Sequence, residues 1–310
     1  MNVALNSKNA TAARRFRFRI GEDQVTAYLF LFPALILFAL FAWYPIASSV
    51  ILSFQNVGLH ELHQGGAEWI GLRNYERMVA DPVFKAAWRN SFEFAGLSVM
   101  IGFFIPILVA ILVNEMRLAK GFFRLVYFLP NVIPGVIALL VWQQIYRVPN
   151  GFLNTLLMEL GFHFQRWIQD PAQVKPSMIA VMTWGGFGST MLLYLAALQD
   201  VPTELYEAAE IDGASPVDRI RSITLPHLKP TMLTLLILQI IGVAQVFMEP
   251  FVLKNYPGQS ATTPVLTLYR KAFLNSEFGL ASAWSVLLIV LLAAFSAIYL
   301  RISRVIESEA

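Results

Sequence analysis

Long apolar stretches, each closed by a cluster of charge, alternate with polar connectors along the whole chain. Reading between charged residues, six such stretches lie near 26 to 54, 92 to 114, 125 to 146, 177 to 199, 230 to 250 and 280 to 300, each nearly or wholly free of charge. An α-helix rises about 1.5 Å per residue, so about 20 apolar residues cross a hydrocarbon layer about 30 Å thick. The pattern predicts an all-α integral membrane protein with six transmembrane helices. A buried helix of a soluble protein can imitate one such run. Six in one chain would leave a water-soluble fold without a polar surface.

Composition strengthens this reading. Of 310 residues, 57% are hydrophobic and only 14% charged, against about 25% charged in soluble domains. There is no cysteine, which excludes disulfides, thiolate metal sites and cysteine nucleophiles. The formal charge is only +3, and the arginines are spread between apolar runs, so the chain has no basic face for nucleic acid.

Lys8, Arg14, Arg15, Arg17 and Arg19 precede the first apolar run, as they would in a signal peptide. That run is too long for one and ends in bulky Trp43 and Tyr44, so it reads as a retained anchor. Basic residues near span ends set orientation. The N-terminal cluster places residues 1–25 in the cytoplasm as a tail, and six crossings return the 304–310 tail, after Arg301, to the same side. The connectors holding Arg117, Lys120 and Arg124, and residues 200–229, then face the cytoplasm. Connectors near 55–91, 147–176 and 251–279 face outside. The six-helix domain covers 26–303.

The connector from Asp200 to Pro230 reads as an elbow of two short helices. Pro202 starts the first, Glu204 and Glu207 sit near its positive end, and Gly213 ends it. Ser215 caps the second, with Pro216 as its first residue, Asp218 completing a capping box, and Leu225-Pro226 closing it. Leu205, Ala208 and Ala209 share one face; Val217 and Ile220 share another. A capped amphipathic helix resting on the membrane surface is the alternative. Glu207, Glu210, Asp212 and Asp218 fit an anionic lipid surface poorly and suit a protein partner better.

Glu207-Ala208-Ala209, Asp212-Gly213-Ala214, Ile223 and Leu225-Pro226 resemble the cytoplasmic loop of the membrane-spanning subunits of binding-protein-dependent ABC importers. The chain is similar to their carbohydrate branch, typified by maltose and glycerol-3-phosphate permeases, in Trp69-Ile70-Gly71-Leu72-Arg73-Asn74-Tyr75 with Asp81-Pro82, in Phe128-Leu129-Pro130 through Pro134 to Trp142 with Gly151 and Asn154, and in Tyr194-Leu195 through Leu198 to Val201-Pro202. Ile220 replaces an aromatic residue usual in the second elbow helix, and Asn255-Tyr256-Pro257-Gly258 replaces a threonine-glycine-glycine-proline turn.

The resemblance implies a type I importer permease fold in a bacterial or archaeal cytoplasmic (inner) membrane, passing a sugar, oligosaccharide or polyol delivered by an extracytoplasmic solute-binding protein. It implies a heterodimer with a second homologous permease and two copies of an ABC ATPase, which would use the ATP and Mg. The coupling loop would consist of Glu207, Ala208, Ala209, Asp212, Gly213, Ala214, Val217, Ile220, Leu225 and Pro226. This chain has no G-x-x-x-x-G-K-[ST] phosphate cradle and is read as a transport subunit, not an enzyme.

Intramembrane polar residues are functional candidates: Gln143, Gln144 and Tyr146 late in span three, Tyr194 in span four, and Gln239, Gln245 and Glu249 in span five. Gln245 and Glu249, four apart, would share a helical face. The alternative role for each of these residues is hydrogen-bonding glue between helices. Trp142, Trp184 and Trp284 could stack on a sugar but suit packing better. His60 and His63 have no third metal ligand, and no nucleophile elbow appears. Two rivals remain: a permease of this architecture for another nutrient, and an ion-coupled secondary transporter, for which mid-membrane charges and inverted repeats are lacking.

Overall fold

The computed structural model describes residues 22–116 and 118–308; the arginine-rich tail before residue 22, Arg117 and the last two residues lie outside them. Among the described residues, five helices are long and apolar enough to cross a membrane, and a bent helix pair supplies a sixth candidate crossing. The chain divides into two compact units, Met1–Ser48 and Ser49–Ala310.

Helix α1 is the span Val25–Ser53, interrupted by a π turn at Ala39–Trp43. After it come β1 (Gln55–Asn56), α2 (Leu59–Gln64) and β2 (Glu68–Trp69), with β1 and β2 antiparallel. Buried Asn74 of α3 (Arg73–Ala80) donates to the carbonyls of Ser53 and Gln55, fixing this small hairpin. The second span, α4 (Pro82–Glu115), begins ten residues before its apolar run. The Asp81 side chain caps it by accepting from the Val83 amide, and Pro82 occupies the first turn. A cap made of polar residues is invisible to a search for apolar runs.

The third span is not one rod. It comprises α5 (Lys120–Phe128), a 3-10 turn at Leu129–Val132, and α6 (Gly135–Ile145), with a 94° bend at the break. Pro130 and Pro134 flank that break, and each lacks the amide needed to continue the ladder. Helix α7 (Phe152–Glu159) precedes the uninterrupted span α8 (Val174–Gln199), and α9 (Thr203–Ile211) follows it.

Helix α10 starts at Pro216 (Pro216–Arg219), widens into a π turn at Ile220–Thr224 and continues as Leu225–Ala244. Leu225-Pro226 therefore does not close the elbow; the helix passes through it into span five. A proline crowds the carbonyl four residues back and offers it no amide. For Pro45, Pro106 and Pro226 that residue, Phe41, Gly102 or Ser222, lies within a π turn. The widened turn takes up the defect and the helix survives. Span five ends in a break at Gln245–Phe247 before α11 (Met248–Val252). The chain finishes with α12 (Pro264–Tyr269) and α13 (Phe278–Ser308).

Three buried clusters hold the second unit together. One joins α4, α6, α8 and the segment after α10 through Phe94, Tyr146, Met178, Ile179 and Leu266. Another joins α4, α8 and α10 through Ile107, Met191, Tyr194, Leu195 and Leu228. The third packs Met78 and Ala87 against Leu280 and Trp284 of α13. Where α5 crosses α8, Gly188 abuts the Tyr127 carbonyl so closely that a Cβ would overlap it. Small residues permit such backbone approach in membranes, where packing replaces the hydrophobic drive between helices.

Candidate functional site

The elbow lies at the end of the bundle where α8 finishes. Helix α9 closes as expected at Gly213, whose φ is 78°. The Ala214 amide reaches the Ala209 carbonyl (2.9 Å) and the Gly213 amide reaches that of Glu210 (3.1 Å), the paired bonds of a Schellman end. Ser215 and Asp218 form the capping box, with the Asp218 amide donating to Ser215 Oγ at 3.3 Å and the Ser215 amide to Asp218 Oδ2 at 3.1 Å.

Two contacts stiffen the elbow that the sequence did not announce. The Tyr206 hydroxyl and Thr224 Oγ1 lie 2.9 Å apart, linking α9 to the π turn at the base of span five. Arg219 pairs with Glu210 across the bend at 3.6 Å. Glu207, Ala208 and Asp212 are exposed, and Ala209 and Ala214 half-buried.

The apolar face differs from expectation. Val217 is 71% exposed, whereas Ile220 is half-buried and packs with Leu225 against the core of α8 and α10. The outward position is taken by Ile211, 87% exposed at the end of α9. Spacing put Val217 and Ile220 on one face; Val217 is exposed, whereas Ile220 is half-buried against α8 and α10.

The seven polar candidates separate into different places. Gln143, Gln144 and Tyr146 border a cavity of about 430 Å³ at the end opposite the elbow, together with Arg147, Gln169 and Asn255. The Tyr146 hydroxyl is already committed to the Ser177 carbonyl at 3.0 Å. Gln239 borders a cavity of about 410 Å³ between α4, α8 and α10, where its Nε2 donates to the Ser98 carbonyl (2.8 Å) and Oγ (2.7 Å).

Glu249 borders a third cavity, of about 350 Å³, with Asn131, Gly135, Trp184 and Met248. Tyr194 borders none of the three: it is fully buried in the core of α8. Gln245 is exposed and donates to the Ile241 carbonyl at the end of α10. The helix breaks between Gln245 and Glu249, so they share no helical face. Trp284 is a core residue, whereas Trp184 borders the third cavity and stacks edge-on with Trp142 at 5.6 Å.

Pro130, Asn131 and Ile133 at one helix break, and Met248 and Glu249 directly after the break at Gln245–Phe247, line this third cavity. Irregular backbone at membrane depth persists only where protein or a water-filled cavity satisfies it. The two prolines around Asn131 were the signal for this site. Among the described residues, no group of three metal-ligating side chains occurs.

The profile of the binding-protein-dependent transport system inner membrane component matches residues 102–308. The chain belongs to that family. It is accordingly a multi-pass inner-membrane permease subunit with a type I importer fold. It is 32% identical to the probable ABC transporter permease protein YurN of Bacillus subtilis, across 94% of this chain and 100% of that one. It is 32% identical to the arabinooligosaccharides transport system permease protein AraP of the same organism, across 93% and 91%.

With the trehalose/maltose transport system permease protein MalF of Thermococcus litoralis the identity is 33%, across 76% of this chain and 80% of that one. Among solved structures, a bacterial ABC transporter involved in the import of the acidic polysaccharide alginate superposes with a TM-score of 0.79 at 25% identity, covering 91% of this chain and 96% of that one. The relatives are permease subunits, which are not enzymes themselves.

Proposed function

We propose that this subunit forms half of the translocation pathway of an oligosaccharide importer. Relatives named for arabinooligosaccharides and for trehalose and maltose support the substrate class. The observation that carries the pathway assignment is the meeting of two helix breaks at one cavity holding Asn131, Trp184 and Glu249. Unwound backbone offers hydrogen-bonding groups to a polar solute at membrane depth, and an aromatic face beside polar side chains suits a sugar ring. A second homologous permease would complete the pathway, and an extracytoplasmic binding protein would deliver the solute.

The elbow would face the cytoplasm, as would both termini, and dock on a separate ABC ATPase that uses ATP and Mg. Exposed Ile211 and Val217 would provide the apolar contact, with Glu207 available for a cation of the ATPase. ATP-driven approach of two ATPase subunits would move the two elbows together. Because α10 continues from Pro216 into span five, and Tyr206 ties α9 to it, that movement would reach the Gln245–Phe247 break without an intervening hinge loop. Saccharide uptake by vesicles supplied with ATP, after the proton and sodium gradients are collapsed, tests this reading. Continued uptake is expected; uptake that stops would assign the chain to ion-coupled transport.

A further inference from the structure

The cavity of about 430 Å³ at the end opposite the elbow has a distinct chemistry. Its polar lining is Gln143, Gln144, Tyr146, Arg147, Gln169 and Asn255, with no aspartate or glutamate. Arg147 makes none of the ion pairs among the described residues. A guanidinium is permanently charged and presents five donors in a planar fork suited to a carboxylate or sulfonate. The amides both donate and accept, which matches hydroxyl groups. The volume falls in the range of about 300–1,000 Å³ typical of small-molecule sites.

The walls are built. A Cβ on Gly151 would lie 2.5 Å from the carbonyl oxygens of Ile145 and Arg147, so the chain closes tightly behind the arginine. Fully buried Asn154 donates to the Gln165 carbonyl (2.9 Å) and accepts from the Gln165 amide (2.9 Å) and Trp167 Nε1 (3.0 Å). Trp167 in turn packs on Tyr146 with ring centres 5.5 Å apart. Farther along the chain, fully buried Asn90 donates to the carbonyls of Gln259 (2.6 Å) and Thr262 (2.9 Å), and Lys175 to that of Ser260 (3.0 Å). These bonds anchor the segment whose start carries Leu253 and Asn255. Helix α6, about 16 Å long for 11 residues, leads from this cavity to the one at the helix breaks.

We infer that this cavity is an entry subsite for anionic saccharides, in which Arg147 pairs with a carboxylate or sulfonate of the sugar and the four amides take its hydroxyls. The inference rests on the import function proposed above. It is tested on the complete complex of both permeases and the ATPase in lipid nanodiscs, without the binding protein. Calorimetric titration uses disaccharides of galacturonate, glucuronate and mannuronate and their carboxyl-reduced counterparts.

At least one acidic sugar should bind more tightly than its reduced form, and more weakly as salt rises. Arg147→Gln should weaken the acidic sugar by about tenfold or more, the worth of a hydrogen bond to a charged group, with partial rescue in Arg147→Lys and no change for the reduced sugar. Equal binding of acidic and reduced sugars, no binding of any acidic sugar, or an unaltered Arg147→Gln overturns the subsite. So does an Arg147→Gln that loses only its binding protein, since the arginine then serves docking. ATP-driven saccharide uptake by the wild-type complex is measured alongside: its failure would sink the import reading itself, whereas intact uptake without these differences sinks only the subsite.

Discussion

Gly213 offers the sharpest test of the elbow. Its φ of 78° lies in the left-handed region, and a Cβ built there meets nothing within 4 Å. Inside this chain, therefore, a substitution costs only backbone conformation. For an ordinary L-residue that cost is about 1–2 kcal/mol, for a β-branched one toward the upper part of about 1–3 kcal/mol, and asparagine tolerates the region best. Since 1.4 kcal/mol is tenfold, Gly213→Val should shift the local equilibrium of the Schellman end by about tenfold or more, Gly213→Ala by less, and Gly213→Asn least. Solute moved per ATP hydrolysed, measured on reconstituted complexes together with their melting temperature, should fall in the order Asn, Ala, Val. Asparagine as damaging as valine would refute the conformational argument and assign the glycine to close approach of the ATPase. A valine variant with wild-type coupling would show that the left-handed turn is dispensable.

Other perturbations address the packing and the charges. Gly188→Ala would place a Cβ onto the Tyr127 carbonyl and 2.9 Å from Phe128 Cα; overpacking of this kind costs about 1–3 kcal/mol, so the melting temperature should drop, and an unchanged one would show that α5 shifts freely. Tyr206→Phe removes one hydrogen bond, worth about 0.5–1.5 kcal/mol net, and strands the hydroxyl of buried Thr224; ATP hydrolysis should persist with less transport per ATP, and a wild-type ratio would count against Tyr206 as a strut. Burial alone would raise the Asp81 carboxyl, but Lys271, 2.8 Å away, and the Val83 amide outweigh it and hold it below the ordinary carboxylate range. Its contribution is present above the unfolded value of about 4 and is lost as pH falls through the depressed native one. Melting temperature should therefore decline in that acid window for the wild type and more shallowly for Asp81→Asn; parallel curves would refute the linkage.

Much of the molecule was legible in the residues themselves. Six charge-poor runs determine a membrane solvent and helical segments, because a bilayer leaves backbone groups no other partner. Local chemistry also wrote the elbow's caps: Gly213, Ser215 and Asp218 act within a few residues of themselves, so spacing suffices to read them. The start of α4 escaped because Asp81 precedes it and Lys85 and Arg89 interrupt its first turns, and α10 passed through Leu225-Pro226 because a π turn, which no residue pattern marked, absorbed the proline.

Tertiary structure decided everything that depends on which side chains meet. Tyr194 and Gln239 are equally polar on paper, yet one is walled into a core by α4, α8 and α10 and the other tied to Ser98. Val217 and Ile220 share a face by spacing, yet only Ile220 packs against α8 and α10. Gln245 and Glu249 look paired until the break between them is seen. The cavity around Arg147 is assembled from the end of α6 and from segments near residues 169 and 255, distant in the chain. Periodicity reports the face of one helix; an assembled cavity depends on several segments whose relative placement no single period encodes.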